Sequence, residues 1–362
     1  MPIMGVAPTP NRVEEVGRTG VGGVGVPRRS AVSVGRCRRG CPAAIIGAAG
    51  GNAPCPAAPK GAVAAPAAPR CRPAVSSSGL ERWALHMDRS DVLNAPWVHA
   101  SGAGEPAVFV HGVYPGSPDN FAAQQSLSDT FRLVAVDRRG YRRNPDPGGP
   151  VGWPTDAADV ERLLEALGGG HLVGHSYGGV VVALVASRCP DLVRSLVVVD
   201  PSLHSAAVGD PDVDAMLERE RRVAEVARSD VDTREWARTW MMEIVGADAQ
   251  SADRFLDHWG EQDWAMLEVV RREQPAGAAP VDYAALAAAP FPKVLVVGGQ
   301  APPTAPGGER HARLGRALIA ALEGVGADIH VFERSTHFAP SEEADRFNDL
   351  LRATWTSAGA RL

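Results

Sequence analysis

A chain of 362 residues with 45% hydrophobic content is long enough to bury a sizeable core, in one large domain or two ordinary ones. The formal charge of −5 hides an asymmetry, because residues 1–79 carry nine Arg, one Lys and only Glu14 and Glu15, which leaves the remainder strongly acidic. No apolar run is long enough for a helical membrane span, so a soluble, cytoplasmic protein with no nucleic-acid partner is expected.

Residues 1–79 are rich in Gly, Ala, Pro and Arg and contain no Phe, Trp or Tyr. They show neither a helical nor an alternating period. Such a segment cannot offset its chain entropy by burial, and a disordered tail is expected. The same composition suits a targeting segment, with Arg28-Arg29 as the start of a twin-arginine signal, or a start codon placed upstream of Met87. Four of the five cysteines (Cys37, Cys41, Cys55, Cys71) fall in this tail and Cys189 beyond it, so a disulfide framework is not expected to hold the fold. Neither a metal nor a cofactor is expected.

From residue 80 short apolar runs alternate with helical patterns, the signature of an α/β protein with a mostly parallel central sheet flanked by helices. Strands are predicted at Ala107–Val110, Phe131–Val136, His171–Val173, Ser195–Val199, Lys293–Val297 and Asp328–Phe332. Val160, Leu163, Leu164 and Leu167 mark one helix face, with Asp156 as cap and Gly168 as stop. A second helix is predicted from Val180 to Ser187, and another around Leu314, Leu318 and Leu322. Between Asp200 and Lys293 the pattern is helical, with faces at Val213, Met216, Leu217, Val223, Val226 and at Trp236, Trp240, Met241, Ile244. This stretch reads as a lid whose Trp and Met residues either line an apolar pocket or pack the lid on the sheet. The expected division is tail 1–79, core 80–201, lid 202–290 and core 291–362.

Gly174-His175-Ser176-Tyr177-Gly178 lies between a predicted strand and a predicted helix. A serine hydroxyl is a poor nucleophile at neutral pH and needs exposure, a base and donors for the oxyanion it creates. A Gly-x-Ser-x-Gly turn supplies the exposure, its glycines leaving room for close backbone passage, so Ser176 is the expected nucleophile. The oxyanion donors are expected from the backbone of Tyr177 and from the His111-Gly112-Val113 loop, with Val113 as the second donor; His111 is expected to be structural. His337, in a polar loop directly after the last strand, is the expected base.

The acid is less clear from the residues. The loop after Lys293–Val297 reads Gly298-Gly299-Gln300-Ala301-Pro302-Pro303-Thr304, with no carboxylate before Glu309. Asp200 ends the preceding strand at the same sheet edge and is assigned the role, with a Ser–His dyad as the rival. Asp137 lies before Ser176 in Asp137-Arg138-Arg139-Gly140 and is read as part of an ion-paired structural turn.

From about Pro106 to Trp355 the chain resembles the α/β-hydrolase superfamily, particularly bacterial members with short helical lids. His111-Gly112, Asp137-Arg138-Arg139-Gly140-Tyr141, Gly174 to Gly179, Asp200-Pro201 and His337 carry the likeness in the right order. Some relatives keep their acid after the strand equivalent to Ser195–Val199, which the resemblance lends to Asp200. Arg142-Arg143-Asn144 and the ill-defined hairpin around Trp83 to His99 depart from the pattern. The resemblance implies a serine hydrolase acting on an ester or lactone of a small, apolar substrate through an acyl-enzyme. Carbon–carbon bond hydrolysis, perhydrolysis, acyl transfer and a weakly catalytic binding protein stay open. Serine at 176 argues against relatives that hydrolyse epoxides or haloalkanes with an Asp nucleophile.

Overall fold

The computed structural model describes residues 89–113, 117–149, 151–300 and 309–359. The expectations for residues 1–79, including their four cysteines, and for Met87 fall outside the described residues.

The described strands are β1 (Val98–Ser101), β2 (Glu105–Val110), β3 (Phe131–Val136), β4 (Gly170–His175), β5 (Val193–Val199), β6 (Lys293–Gly298) and β7 (Asp328–Phe332). They form one sheet in the order β1-β3-β2-β4-β5-β6-β7. Only β1 runs antiparallel, against β3; the other neighbours are parallel. β3 and β7 have the predicted bounds, while β2, β4, β5 and β6 each extend one or two residues past the apolar run at one or both ends. The opening stretch that the sequence left undefined forms no β1–β2 hairpin, since β1 pairs with β3; the chain turns from β1 toward β2 at Gly102 (φ +75°), where a Cβ would strike the Ser128 and Phe131 carbonyls.

Both faces of the sheet are covered at its centre, so the inner strands β4, β5 and β6 are buried along nearly their whole length, while the edge strands β1 and β7 are only partly buried. The alternation along β2 shows the two layers. Val108 and Val110 join a core with Leu163, Leu164, Val181 and Leu184, whereas Ala107 and Phe109 join another with Phe347, Leu351 and Trp355. The first core is supplied by α3 (Trp153–Leu167) and α4 (Tyr177–Arg188), which follow the short α1 (Arg89–Leu93) and α2 (Ser117–Asn120), and the second by α12 (Ala344–Gly359), which follows the short α11 (Ala339–Glu342). Every residue from Tyr177 to Ser187 is buried, which is why α4 is apolar all round and shows no amphipathic stripe.

Gly168 ends α3 in the left-handed conformation at φ +76°, as its position predicts. Asp156 does not cap that helix. Gly152 is the N-cap residue, and Asp156 is buried instead against Arg138 and the amide of Arg139, because a buried guanidinium requires a carboxylate more than an accessible helix start does.

Between β5 and β6 no strand occurs among the described residues. The segment forms α5 (Pro211–Ala227), α6 (Thr233–Trp240), a π-helical turn at Met241–Val245, α7 (Ala249–Asp257), α8 (Glu261–Arg271) and α9 (Tyr283–Ala288). Asp210, Asp232, Asp248 and Asp282 start α5, α6, α7 and α9 by accepting backbone N–H groups of the first turn. Among the described residues no helix is long and apolar enough to cross a membrane.

Strand order reverses around β2. The chain steps from β2 to β3 on one side and then to β4 on the other, which opens a crevice at the carboxyl ends of β2 and β4. His111 follows β2 and Ser176 follows β4, with Val110 paired to Gly174 immediately below.

Candidate active site

Ser176 sits in the tight turn between β4 and α4 with φ +54° and ψ −121°, a strained backbone for a residue with a Cβ. The turn is held by Ser176 N–H donating to the Val199 carbonyl at 2.9 Å and by Ser202 N–H donating to the Ser176 carbonyl at 3.2 Å. Its glycines are required by crowding. A Cβ on Gly174 would meet Val182 and the Gly178 carbonyl, and one on Gly178 would meet the carbonyls of Val110 and His111. The loop after β2 is as close: a Cβ on Gly112 would stand 2.8 Å from Cβ of Ser176.

His111 is buried and bonded at both nitrogens, donating Nδ1–H to the Gly112 carbonyl at 2.7 Å and accepting Arg138 N–H at Nε2 at 3.1 Å. Burial and the neighbouring Arg138 cation hold it well below the ordinary histidine range, so it is a neutral strut of the loop.

His337 lies in the loop after β7 with its side chain partly exposed. Burial, His175 and His311 hold it well below the ordinary range, which keeps the imidazole neutral and able to take a proton. Its loop is tied down at two places. His175 Nε2–H donates to the His337 carbonyl at 2.7 Å with the two rings 4.6 Å apart, and Glu342 accepts Thr336 N–H at 2.6 Å and Thr336 Oγ1–H at 2.8 Å. The Nδ1 of His175 lies 3.2 Å from the Asn120 side-chain amide. Burial pulls His175 down to about 4 and leaves it neutral.

Asp200 follows β5 at φ +38°. One carboxylate oxygen accepts the Gly298 N–H at 3.1 Å and lies 3.9 Å from Nδ1 of His337, near it but beyond hydrogen-bond range. Burial raises Asp200 to about 7, against the opposing pull of the Gly298 bond and with a further push from Glu342. The structure thus gathers all five expected residues, Val113, Ser176, Tyr177, Asp200 and His337, on the wall of one cavity of about 960 Å³.

The opposite wall comes from the β5–β6 segment. Trp236, Trp240, Trp259, Met216, Met241 and Met266 line the cavity, and Trp236 is at the same time 2% exposed and packed among Leu256, Leu267 and Val270. Lining and packing are here served by the same side chains.

A buried ion network that the sequence did not announce joins this segment to the turn around Ser176. Arg138 donates to Asp156 at 2.8 Å, to the Gly112 carbonyl at 2.8 Å and to Glu273, while its guanidinium lies 4.2 Å from the ring centre of Tyr177. Tyr141 donates its hydroxyl to Glu273 at 3.0 Å. Around Glu273 the chain is stitched to the core: Gln274 N–H donates to Val151 and Tyr177 Oη–H to the Gln274 carbonyl. The turn Asp137-Arg138-Arg139 is therefore ion-paired, although not within itself, since Asp137 meets His99 and Arg139 meets Asp159. A run of two arginines after a strand-ending Asp was the only local hint of this network; Glu273 lies 135 positions from Arg138 and gave none.

Comparison with known proteins agrees with this architecture. A family model described as "Alpha/beta hydrolase family" matches residues 107–350, well over half of the chain. Among curated proteins the chain is similar to a 2-(acetamidomethylene)succinate hydrolase of Mesorhizobium japonicum, 36% identical over 28% of this chain and 38% of the relative. It is also similar to a non-heme chloroperoxidase of Streptomyces lividans, 42% identical over 28% of this chain and 37% of the relative. In each case the chain spans less than half of the relative's length. Among solved structures, a thermophilic esterase from Thermogutta terrifontis shares the fold at a TM-score of 0.51 and 22% identity, over 72% of this chain and 93% of that one. With a seven-stranded sheet, a strand–serine–helix turn at its crevice and a family match across both, the chain belongs to the alpha/beta hydrolase family.

Proposed function

We propose that the protein hydrolyses a carboxylic ester or lactone of a small substrate through an acyl-enzyme on Ser176. The observation that carries the reading is the placement of Ser176, at positive φ between β4 and α4, in the same cavity as His337 and Asp200. In this mechanism Ser176 Oγ attacks the acyl carbonyl as its proton passes to His337. The oxyanion is received by the backbone N–H groups of Val113 and Tyr177. His337 returns the proton to the leaving alcohol; water, deprotonated by His337, then releases the acid and restores Ser176. Asp200 orients His337 and balances its charge, closing the 3.9 Å gap as the imidazolium forms.

Residues 202–290, which contribute Trp236, Trp240 and Met241 to the cavity wall, act as a lid that shapes its apolar side. A similar bifunctional esterase/perhydrolase of Acinetobacter calcoaceticus, 37% identical over 30% of this chain and 41% of the relative, supports ester chemistry. Labelling with a fluorophosphonate probe tests the reading: an adduct on Ser176 is expected, and its absence in intact protein while a control hydrolase reacts rejects it.

A further inference from the structure

The charged side chains on the cavity wall are almost all engaged by the protein itself. Glu220 takes His204 Nδ1 and the Gly277 N–H, both at 2.7 Å; Glu273 is held by Arg138 and Tyr141; Arg271 donates to the carbonyls of Ala227 and Ser229. Arg310, near the start of α10 (Glu309–Gly324), is the exception. Among the described residues its guanidinium makes one hydrogen bond, from Nη2 to the Ile244 carbonyl at 3.1 Å, and no carboxylate pairs with it. The neighbouring acids are taken: Glu243 by Arg219 and Arg222, Asp212 and Glu309 by Arg313. Residues 301–308 contain no Asp or Glu.

A guanidinium presents five N–H donors, and a partly buried one without an anion is costly. The residue beside it repeats the pattern. His311 lines the same cavity, and its Nε2 is buried without a hydrogen-bond partner. Burial, Arg219 and Arg313 disfavour the charge of Arg310 while Glu243 favours it, and His311 disfavours the charge of His337. This corner therefore offers N–H donors beside the proposed base, in a cavity lined elsewhere by Trp and Met.

We infer that Arg310 and His311 form a subsite for a carboxylate on the substrate, so that the preferred class is a half-ester of a dicarboxylic acid or a lactone bearing a free carboxylate. The inference rests on the hydrolase reading of the cavity, and it names what the cavity holds. A carboxylate would accept from the unused face of the Arg310 guanidinium, for which arginine is suited by its planar pair of donors, and from Nε2 of His311.

The test reads binding rather than turnover, so that it stands apart from the acyl-enzyme question. Ser176→Ala protein is titrated calorimetrically with monoethyl glutarate and with its neutral counterpart diethyl glutarate. The half-ester is expected to bind at least tenfold more tightly, with the preference shrinking as salt is raised, to fall to parity in the Ser176→Ala/Arg310→Gln protein, and to be partly kept with Arg310→Lys. Equal affinity for the two esters, or a preference that survives Arg310→Gln, overturns the subsite. Loss of fluorophosphonate labelling in the wild type would instead strike the acyl-enzyme reading and leave the binding result to be judged by itself.

Discussion

The imidazole of His175, the residue immediately before the nucleophile, donates a hydrogen bond to the backbone carbonyl of His337 at 2.7 Å. The proposed base is thus fastened by its main chain to the turn that carries its serine, while its side chain stands 3.9 Å from Asp200. Replacing His175 with Phe keeps ring volume and removes the donor. A fall in kcat of about 10–100-fold is expected, as for catalytic groups displaced by fractions of an ångström, with KM little changed. His175→Gln, which can still donate, is expected to recover part of the loss. Steady-state kinetics with a p-nitrophenyl ester checks this; a KM effect alone would reduce His175 to a packing residue.

Asp200 supplies a pH dependence. Its carboxyl is raised to about 7 by burial, and the proposed mechanism requires it ionised to orient His337 and balance the imidazolium. Turnover is therefore expected to rise with pH through about 7. Stability runs the other way: a carboxyl with a raised folded pKa contributes fully below about 4 and loses that contribution as pH climbs to about 7. Asp200→Asn is expected to lower turnover by about 10³-fold or more and to abolish the rise near pH 7. A pH–rate profile that Asp200→Asn leaves untouched would remove Asp200 from the mechanism.

Arg138 is the cation of a buried network with Asp156 and Glu273. Arg138→Met leaves both carboxylates without their guanidinium, and a loss of about 3–5 kcal/mol in denaturant unfolding is expected. Adding Glu273→Gln, which removes one buried charge, is expected to restore part of it. The same Arg138 fixes the Gly112 carbonyl, so the single variant should also slow acylation. Additive stability losses in the double variant would contradict a coupled network.

His171 gives an acid-side signal. It is buried beneath Trp355, with Nδ1 2.8 Å from Ser195 Oγ, and burial lowers it to about 4. A histidine with a depressed folded pKa adds stability that is complete above about 6.5 and is lost as pH falls toward 4. His175 works in the same direction, whereas Asp200 and Glu273 oppose it. The difference between wild type and His171→Phe isolates the term. On going from pH 7 to pH 4.5 the wild type is expected to lose about 2–3 kcal/mol more than the variant; parallel losses would show that His171 does not titrate in this way.

What the sequence made legible was local. The apolar runs at Ser195–Val199 and Lys293–Val297 are visible because these inner strands are buried on both faces, whereas Asp328–Phe332, at the sheet edge, is visible through polar and apolar residues in alternation. Ser176 could be read because its glycines, strand and helix are contiguous. His337 and Asp200 were reached through order along the chain and the position of strand ends, and the structure places both on the cavity of Ser176. The missed features join distant segments: His175 to His337 across 162 positions and Arg138 to Glu273 across 135. Asp156 was misread for a related reason. An Asp near a helix start suits a cap by its neighbours alone, and only the fold reveals the buried arginine that claims it.

The stitching around Glu273 sets how the cavity can be remodelled. Residues 272–275 bond to Val151, Trp153 and Tyr177 and reach the Gly112 loop through Arg138, so this short stretch moves with the catalytic framework although it follows the helices of the insertion. A chimera that exchanges the insertion to change specificity should therefore be joined before Arg272, leaving Arg272 to Pro275 with the recipient. A graft that carries its own residues here would change the cavity wall and unsettle the Gly112 loop, the proposed oxyanion loop, in one step.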